Sequence, residues 1–270
     1  MGIAKKVSVH KWRLAIAGVF LVLLNSSWGP EAKWLCVPVL NCHSCVLSWF
    51  ACPVGVLQHY SGYHIFPVLA LGMILLPAVL LGRLLCGWIC PFGLLQDLLH
   101  KIPSQKFKLP QWTSYIKYVV LGVLVIGLPF MLGVGTYFSF CRICPASAIQ
   151  VTIPSLFTDG VPQNIWPMLI RLHVLAAVIV LAIMSSRSFC KTLCPIGAIL
   201  APLNYISFWV VKTPTESCSS CKKCDRVCPV EGHPSDRVLE HIPANRELDC
   251  IACHECQDAC PLHKVPAKCA

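Results

Sequence analysis

The sequence predicts an all-α membrane protein with four transmembrane helices, arranged as two repeated helical hairpins, followed by a small cysteine-rich cytoplasmic domain. Hydrophobic residues make up 56% of the 270 residues and charged residues 13%, about half of the ~25% that is usual in soluble proteins. Four long apolar stretches precede residue 212, and most of the 19 cysteines fall in short repeated motifs. This composition excludes a soluble hydrolase, a nucleic-acid-binding protein and a disordered chain.

The four apolar stretches are residues 12–28, 63–82, 114–133 and 166–186. Each is close to the about 20 residues that a helix needs to cross a bilayer. The first stretch also resembles a cleavable signal peptide, because basic residues precede it and Asn25, Ser26 and Ser27 lie near its end. We expect it to remain, since an uncleaved span makes the number of crossings even.

Basic residues predict the orientation of the spans. Most of them precede the first span, separate the second from the third, or follow the fourth: Lys5, Lys6, Lys11, Arg13, Arg83, Lys101, Lys106, Lys108, Lys117, Arg187 and Lys191. The opposite loops carry only Lys33, Arg142 and Arg171. Because basic loops stay in the cytoplasm, both termini are predicted to be cytoplasmic. The predicted location is a bacterial or archaeal cytoplasmic membrane, with several crossings.

The composition changes after Lys212. Residues 1–212 form the predicted transmembrane domain, with cysteine motifs at both membrane faces, and residues 213–270 form a polar domain without a long apolar run. The transmembrane domain contains an internal repeat. The motif C-x3-C-P-x-G follows the second span at residues 86–93 and the fourth span at residues 190–197. The first copy continues as an amphipathic helix, which is suited to the membrane interface.

The cysteines of the C-terminal domain have the spacing of bacterial two-cluster ferredoxins. The motif C-x2-C-x2-C-x3-C-P occurs twice, at residues 218–229 and 250–261. In this pattern three cysteines of one motif and the last cysteine of the other bind each 4Fe–4S cluster. The predicted ligands are Cys218, Cys221, Cys224 and Cys260 for the first cluster and Cys250, Cys253, Cys256 and Cys228 for the second. A structural zinc site requires separated C-x2-C pairs instead.

The four cysteines of the membrane repeat are predicted to meet at the cytoplasmic face. Cys86, Cys90, Cys190 and Cys194 occupy equivalent positions in the two copies. Together they would form a further 4Fe–4S site. The alternative is that they are neutral thiols that pack as small apolar groups. The same spacing in both copies favours the metal site.

A third group of cysteines is predicted at the outer face: Cys42, Cys45, Cys52, Cys141 and Cys144. These five thiols either supply the four ligands of another cluster and leave one spare, or form disulfides in an oxidising compartment. Cys36 and Cys269 belong to no motif and are expected to have no role as ligands.

Three histidines are candidate contacts for a quinone or a haem. His173 lies inside the fourth span, where a polar group is costly and often functional. A hydrogen bond from His173 to a helix backbone would explain it equally well. His59 and His64 lie at the outer end of the second span, where a quinone headgroup would meet them.

The four spans, the two C-x3-C-P motifs and the two C-terminal motifs together resemble the NapH/MauN family of membrane ferredoxin-type proteins. Related modules occur in NosR and in assembly proteins of the CcoG type. The resemblance implies quinol oxidation at the membrane, with electrons passed to a partner cytochrome or iron–sulfur protein. The large outer flavin-binding domain of NosR and the C-terminal β domain of CcoG are missing, which favours a small subunit that works with partners.

We therefore predict an iron–sulfur electron-transfer subunit of a quinol dehydrogenase-type complex, which links the quinone pool to partner redox proteins. Membrane lipid, a quinone and partner redox subunits are the expected partners. The alternative is a redox maturation factor that supplies electrons for the assembly of a metalloenzyme. The sequence contains no catalytic triad, P-loop or dinucleotide motif that would support independent catalysis.

Overall fold

The computed structural model of the chain is mostly helical. It describes residues 9–26, 32–42, 44–45, 47–136, 138–158, 160, 162, 164–213 and 218–262. No strand forms within these ranges, where Cys36 and Ala51 make an isolated β-bridge. The observed class therefore agrees with the predicted all-α class.

The helices follow the two predicted repeats. The first repeat contains Val9–Leu24, Pro53–Gly62, Val68–Leu81, Leu84–Trp88 and Pro91–Leu99. A continuous helix, Gln111–Leu132, leads into the second repeat. That repeat contains Phe140–Ile143, the contiguous segments Pro145–Ser147, Ala148–Thr152 and Ile153–Thr158, and then Trp166–Met184, Ser188–Thr192, Pro195–Leu200 and Pro202–Tyr205. The C-terminal region has three short helices, Lys223–Arg226, Pro234–Leu239 and Glu255–Ala259.

Two helices, Gln111–Leu132 and Trp166–Met184, are long and apolar enough to cross a membrane. Only 22% and 17% of their most apolar windows are buried inside the protein. Their apolar side chains therefore point outward, as Met131 and Val180 do. A broad apolar surface of this kind is unfavourable in water and suits contact with lipid. The chain is accordingly a membrane protein.

The other two predicted spans are shorter helices. Val9–Leu24 has 16 residues and Val68–Leu81 has 14, which at a rise of about 1.5 Å per residue is less than the about 30 Å of a bilayer core. Gly82 ends the second of these helices with a φ of +60°, a left-handed conformation that favours glycine. Residues 27–28, the predicted end of the first span, lie outside the described residues. Crossing at four places stays a prediction.

The two repeats pack against each other at the ends that carry the C-x3-C-P motifs. Helix Pro91–Leu99 of the first repeat contacts helix Trp166–Met184 of the second repeat. Helix Val9–Leu24 also packs against helix Pro91–Leu99. The rings of Phe92 and Phe189 meet edge-on, with centroids 4.8 Å apart. This packing brings the two C-x3-C-P motifs side by side. The C-terminal region joins the same core, because Ile251 belongs to its buried apolar cluster.

Candidate iron–sulfur centres

All four Cys-Pro pairs of the membrane part have the same local geometry. Cys52, Cys90, Cys144 and Cys194 have extended backbone, with ψ of 113–127°, directly before a helix whose first residue is proline. Proline suits this position because its missing N–H would have no partner there. Each thiol thus lies at a helix N-terminus, where backbone N–H groups favour negative charge.

The inner site, named from the predicted topology, consists of Cys86, Cys90, Cys190 and Cys194. The structure brings these four buried thiols together, and each is close enough to interact electrostatically with the other three. The backbone N–H of Gly197 donates to Sγ of Cys194 at 3.4 Å. A donor to sulfur stabilises a thiolate ligand.

Two buried arginines cross between the repeats at the inner site. Arg83, three residues before Cys86, donates to the carbonyl of Cys190 at 3.3 Å. Arg187, three residues before Cys190, donates to the carbonyl of Cys86 at 2.7 Å. Both side chains are 1% exposed, so their charges act on the thiols in a poorly hydrated environment. In the sequence these arginines indicate the topology, and their equal offset in the two copies is a further signal, for a shared role.

Each arginine is held by a carboxylate. Arg187 forms a bidentate pair with Asp97, with distances of 2.9 Å for Nε–Oδ1 and 2.7 Å for Nη2–Oδ2. Arg13, from the first helix, also donates to Asp97 at 2.9 Å. Arg83 lies 3.5 Å from Asp249 of the C-terminal region. The inner site is therefore enclosed by paired charges from three parts of the chain.

Gln96 connects the two copies at the inner site. Its Oε1 accepts from the backbone N–H of Phe189 at 3.1 Å, and its Nε2 donates to Sγ of Cys190 at 3.1 Å. Gln96 lies six residues after Cys90, within a Cys-Pro-x4-Gln pattern. This pattern is not among the motifs predicted from the sequence. At the equivalent position of the second copy stands Leu200.

The outer site is a cavity of about 320 Å³ that is lined by four of the five outer cysteines: Cys42, Cys52, Cys141 and Cys144. The fifth, Cys45, is buried nearby and interacts electrostatically with Cys42. All five are free thiols in the structure. The geometry leaves Cys45 as the spare thiol.

The Cys-Pro-x4-Gln pattern recurs twice at the outer site. Oε1 of Gln58 accepts from the backbone N–H of Cys141 at 3.1 Å. Oε1 of Gln150 accepts from the backbone N–H of Cys42 at 2.6 Å. Each glutamine thus binds the first cysteine of the other repeat. These reciprocal contacts fix the two halves of the outer site relative to each other.

The three candidate histidines lie in different surroundings. His59 lines the outer cavity, and its ring packs edge-on against Tyr63. The ring of His64 packs edge-on against Phe130 at 4.4 Å. Nδ1 of His173 lies 2.8 Å from the carbonyl of Leu169, one turn earlier in its own helix. The structure places only His59, of these three, among the residues that line the outer cavity.

The C-terminal cysteines form the two predicted sets. Cys218, Cys221, Cys224 and Cys260 line one small cavity, which we call the first C-terminal site. Cys228, Cys250, Cys253 and Cys256 line another, the second C-terminal site. Cys256 also touches the cavity of the first site, so the two sites are neighbours. Each cavity is thus lined by three cysteines of one motif and the last cysteine of the other, and the binding of clusters by these sets stays a prediction.

The two C-terminal loops share an unusual backbone. The residues on both sides of the middle cysteine are left-handed: Ser220 and Lys222 beside Cys221 (φ 53° and 51°), Ala252 and His254 beside Cys253 (φ 48° and 63°). Such residues cost about 1–3 kcal/mol each and persist only where the surrounding fold enforces them. They allow successive N–H groups to converge on an anion, and the N–H of Ala252 donates to Sγ of Cys250 at 3.4 Å.

The donor sets fit iron–sulfur clusters. Burial, with Cys253 as a further cause, raises the pKa of Cys228 to about 12, so thiolates here require a cationic partner. No three His, Cys, Asp or Glu side chains of the described residues are close enough to hold a single metal ion, whereas the ligands of a cluster bind different irons. At the inner site, Nε of Arg83 is buried without a hydrogen-bond partner among the described residues. An anionic group beside it would satisfy that donor.

The membrane part holds the loop of the second C-terminal site by its carbonyls. Three side chains donate to four carbonyls of residues 247–252, at 2.7–3.1 Å: Arg83 to Leu248, Asn204 to Glu247 and Cys250, and Trp88 to Ala252. One of these donors, Arg83, also binds the carbonyl of Cys190. The same side chain therefore touches the inner site and the second C-terminal site.

Gly87 allows the closest contact between these two sites. A Cβ atom at Gly87 would lie 2.3 Å from the carbonyl oxygen of Ile251, which is far inside van der Waals contact. Gly87 follows Cys86, and Ile251 follows Cys250. The inner site and the second C-terminal site thus meet backbone to backbone, and any side chain at position 87 would separate them.

Comparison with known proteins agrees with the arrangement of motifs. A 4Fe-4S binding domain model matches residues 63–110 and 167–213, and a 4Fe-4S dicluster domain model matches residues 210–261. The first match covers both copies of the membrane repeat, and the second covers both C-terminal motifs. No solved structure matches the chain.

Curated relatives cover large parts of the chain. An uncharacterized protein of Methanocaldococcus jannaschii is 29% identical over 68% of this chain and 75% of its own length. The regulatory protein NosR of Pseudomonas aeruginosa is 29% identical over 59% of this chain but 22% of its own length. The ferredoxin-type protein NapH of Escherichia coli is 27% identical over 66% of this chain and 59% of its own length, and the ferredoxin-type protein MauN also matches. The chain is thus a relative of the ferredoxin-type electron-transport proteins NapH and MauN, as the resemblance predicted.

Proposed function

We propose that this chain is a membrane-bound iron–sulfur subunit that carries electrons between the membrane quinone pool and partner redox proteins. The observation that carries the proposal is the backbone contact between the inner site and the second C-terminal site. A bound 4Fe–4S cluster supplies one-electron transfer. Gly87, Arg83, Asn204 and Trp88 hold the two sets of cysteines next to each other, which is the arrangement that transfer between two centres requires.

The proposal assigns ligands and topology as follows. The chain crosses the membrane four times, has both termini in the cytoplasm and divides near residue 212 into a membrane domain and a ferredoxin-type domain. Four cysteines serve each of the two C-terminal sites, four serve the inner site, and Cys42, Cys52, Cys141 and Cys144 serve the outer site. The inner and outer sites lie at opposite ends of the membrane helices, so a quinone or a partner cofactor is needed between them.

The quinone part of the proposal rests on two cavities. A cavity of about 760 Å³ lies between Trp112, Tyr115 and Tyr205 and the acidic side of the C-terminal region, and its size is within the about 300–1,000 Å³ of small-ligand sites. Val230 and Glu247 belong both to this cavity and to the wall of the second C-terminal site. Aromatic residues at the end of an apolar helix are typical of the membrane interface. A quinone headgroup here would lie directly beside the second C-terminal site.

The outer cavity is the second place for a quinone. His59 lines it, and His64 lies a few residues further along the chain. His173 is exposed on the outward surface of its helix, where a quinone or haem would approach it from the lipid.

A photoreactive quinone analogue tests both cavities. Labelling near Trp112 or near His59 supports the corresponding cavity, and labelling that avoids both overturns the quinone part.

The electron route is tested in liposomes by adding quinol and measuring how fast electrons pass between the inner cluster and the C-terminal clusters, whichever of them the quinol reduces first. Gly87→Ala places a methyl group against the carbonyl of Ile251, and we expect this transfer to slow by at least about tenfold, as small misplacements do in reactions that depend on geometry. Iron content and reduction by dithionite should be unchanged. Gly72→Ala is the matched control, because a Cβ there meets no atom within 4 Å. Equal rates in both variants, or a wild-type protein that quinol does not reduce, overturn the proposal.

A further inference from the structure

We infer that the first C-terminal site is where the chain exchanges electrons with a soluble, acidic one-electron carrier protein. Lys222, Lys223 and Arg226 form the docking surface, which we call the basic surface. The inference rests on the proposed function, because it requires clusters at both C-terminal sites. It adds the kind of partner and the place where that partner binds.

The two C-terminal sites differ in what covers them. The loop of the second site is held against the membrane part by four hydrogen bonds, and its middle cysteine, Cys253, is buried. The middle cysteine of the first site, Cys221, is exposed. No hydrogen bond of the described residues 218–226 reaches the membrane part. The first site is therefore the open end of the route that begins at the inner site.

The basic surface surrounds this open end. Lys222, Lys223 and Arg226 are exposed, and the two lysines line the same cavity as the cysteines of the first site. Among the described residues none of the three takes part in an ion pair. A carrier that approaches the first site thus meets positive charge that the protein itself leaves uncompensated.

Nearby carboxylates do not cancel this charge. Asp225 is turned inward, where it accepts from the backbone N and Oγ of Ser235 at 3.0 and 2.6 Å. On the neighbouring helix, Glu255 is occupied by Arg13 at 3.1 Å. Asp258 of that helix is half-buried. Asp236 is exposed, but it lines the cavity of about 760 Å³ and not the cavity of the first site. Among the described residues, the three exposed cations therefore outnumber the exposed carboxylates beside the first site, and the surface is positive.

Charge complementarity then selects the partner. Opposite charges on two proteins increase the rate of encounter from about 10⁵–10⁶ to as much as about 10⁸–10⁹ M⁻¹s⁻¹ at low salt, and the effect falls as salt is added. A small carrier with acidic residues around its own redox centre would dock with that centre towards Cys221. We favour a soluble protein over anionic lipid, because the membrane part binds the other C-terminal loop.

The test measures electron exchange with a purified acidic 2Fe–2S ferredoxin by stopped flow. Lys222→Glu/Lys223→Glu is compared with Lys101→Glu/Lys108→Glu, which makes the same change of charge at exposed residues of the loop between the second and third predicted spans. We expect wild type and the Lys101/Lys108 variant to exchange rapidly at low salt and slowly at high salt. The Lys222/Lys223 variant should be about 100-fold slower at low salt and insensitive to salt.

The outcomes separate this inference from the proposed function. All three proteins should have equal iron, equal labile sulfide and equal reduction by dithionite; a chain without iron and sulfide overturns the proposed function itself. Iron-loaded proteins whose exchange rates do not depend on the charge at Lys222 and Lys223 overturn the inference alone. An exchange rate that depends on Lys222 and Lys223 only in liposomes with anionic lipid, and not in neutral detergent, would assign the basic surface to lipid and also overturn the inference.

Discussion

The inner and outer sites are built from the same parts, but their charges are held differently. In both, two Cys-Pro cysteines cap helices, and glutamines bind across the repeats. At the inner site, Arg83 and Arg187 are fully buried and paired with carboxylates. At the outer site, Arg142 is exposed, and Arg171 donates to its carbonyl at 2.7 Å instead of to a carboxylate. One repeat thus gives a closed, charge-paired site where the C-terminal region docks and an open cavity at the other end.

Removal of one cysteine from each site should have the largest effect. Cys190→Ser and Cys144→Ser are each expected to lose about four iron atoms and four sulfides per chain, the content of one cluster. The C-terminal clusters should remain in both variants. Iron and labile sulfide analysis of the purified proteins measures this. An iron content of Cys144→Ser equal to that of wild type would show that Cys144 holds no cluster, and the comparison between the two sites would then fail.

The buried charges of the inner site should contribute far more to stability than the outer arginine. Asp97→Asn leaves Arg187 buried without its carboxylate partner and leaves Arg13 with Glu255 alone, and we expect a loss of about 3–5 kcal/mol. Arg171→Gln removes a half-buried charge without a carboxylate partner, and we expect a loss of at most about 1 kcal/mol. Thermal unfolding in detergent measures both variants. Equal losses would show that the two sites are held in the same way.

The ion pair between Asp97 and Arg187 predicts that the stability of the protein depends on pH. Burial alone would raise the pKa of Asp97, but Arg187 and Arg13 beside it lower that pKa overall. A lowered pKa in the folded state stabilises the protein above the unfolded value of about 3.9, and this contribution is lost as the pH falls through the lower folded value. Wild type should therefore lose more stability than Asp97→Asn between pH 5 and strongly acidic pH. Parallel pH profiles would contradict the assignment.

Gln96 should affect the redox potential of the inner site only modestly. Gln96→Leu removes the donor to Sγ of Cys190, and a net hydrogen bond of about 1 kcal/mol corresponds to about 40 mV for one electron. We expect the midpoint potential of the inner site to fall by about this amount. Gln150→Leu, whose side chain binds the backbone of Cys42 instead of a sulfur, should shift the outer site less. Titrations followed by EPR measure both potentials, and a larger shift for Gln150→Leu would contradict the role of the sulfur contact.

The smallest effect is expected at the spare cysteine. Cys45 is buried beside Cys42 but does not belong to the four cysteines that line the outer cavity. Cys45→Ser should therefore retain the iron of the outer site, whereas Cys141→Ser should lose it. Cys36→Ser should also retain it, because Cys36 is not among the cysteines that line the outer cavity. Loss of iron in Cys45→Ser but not in Cys141→Ser would mean that another set of four binds the cluster.

The spacing of the cysteines indicated which of them share a site in the C-terminal domain but not at the outer face. The C-terminal sets could be read from the sequence because the spacing of a ferredoxin motif determines which cysteines share a cluster. The outer set could not, since five thiols in three loops leave the choice of four to the packing of the chain. That packing excludes Cys45 from the cavity, and no local pattern around Cys45 indicates it.

The contacts that hold the sites together were less visible in the sequence. Arg83 and Arg187 occupy equal offsets in the repeat, so their importance was readable, but their crossing to the opposite copy depends on how the hairpins pair. The same is true of Gln58, Gln96 and Gln150. The second predicted span ended correctly near Gly82 but began too early, because residues 63–67 precede helix Val68–Leu81, with Pro67 directly before its first residue. Hydropathy alone does not detect such a start.

The central claim is that the inner site holds a cluster in contact with the second C-terminal site, and EPR of the fully reduced protein tests it most directly. For wild type we predict signals that are broadened by magnetic interaction between neighbouring clusters. In Cys190→Ser the interaction with the inner site should disappear, while the signals of the two C-terminal clusters remain. Identical spectra of wild type and Cys190→Ser, with equal iron in both, would contradict the claim.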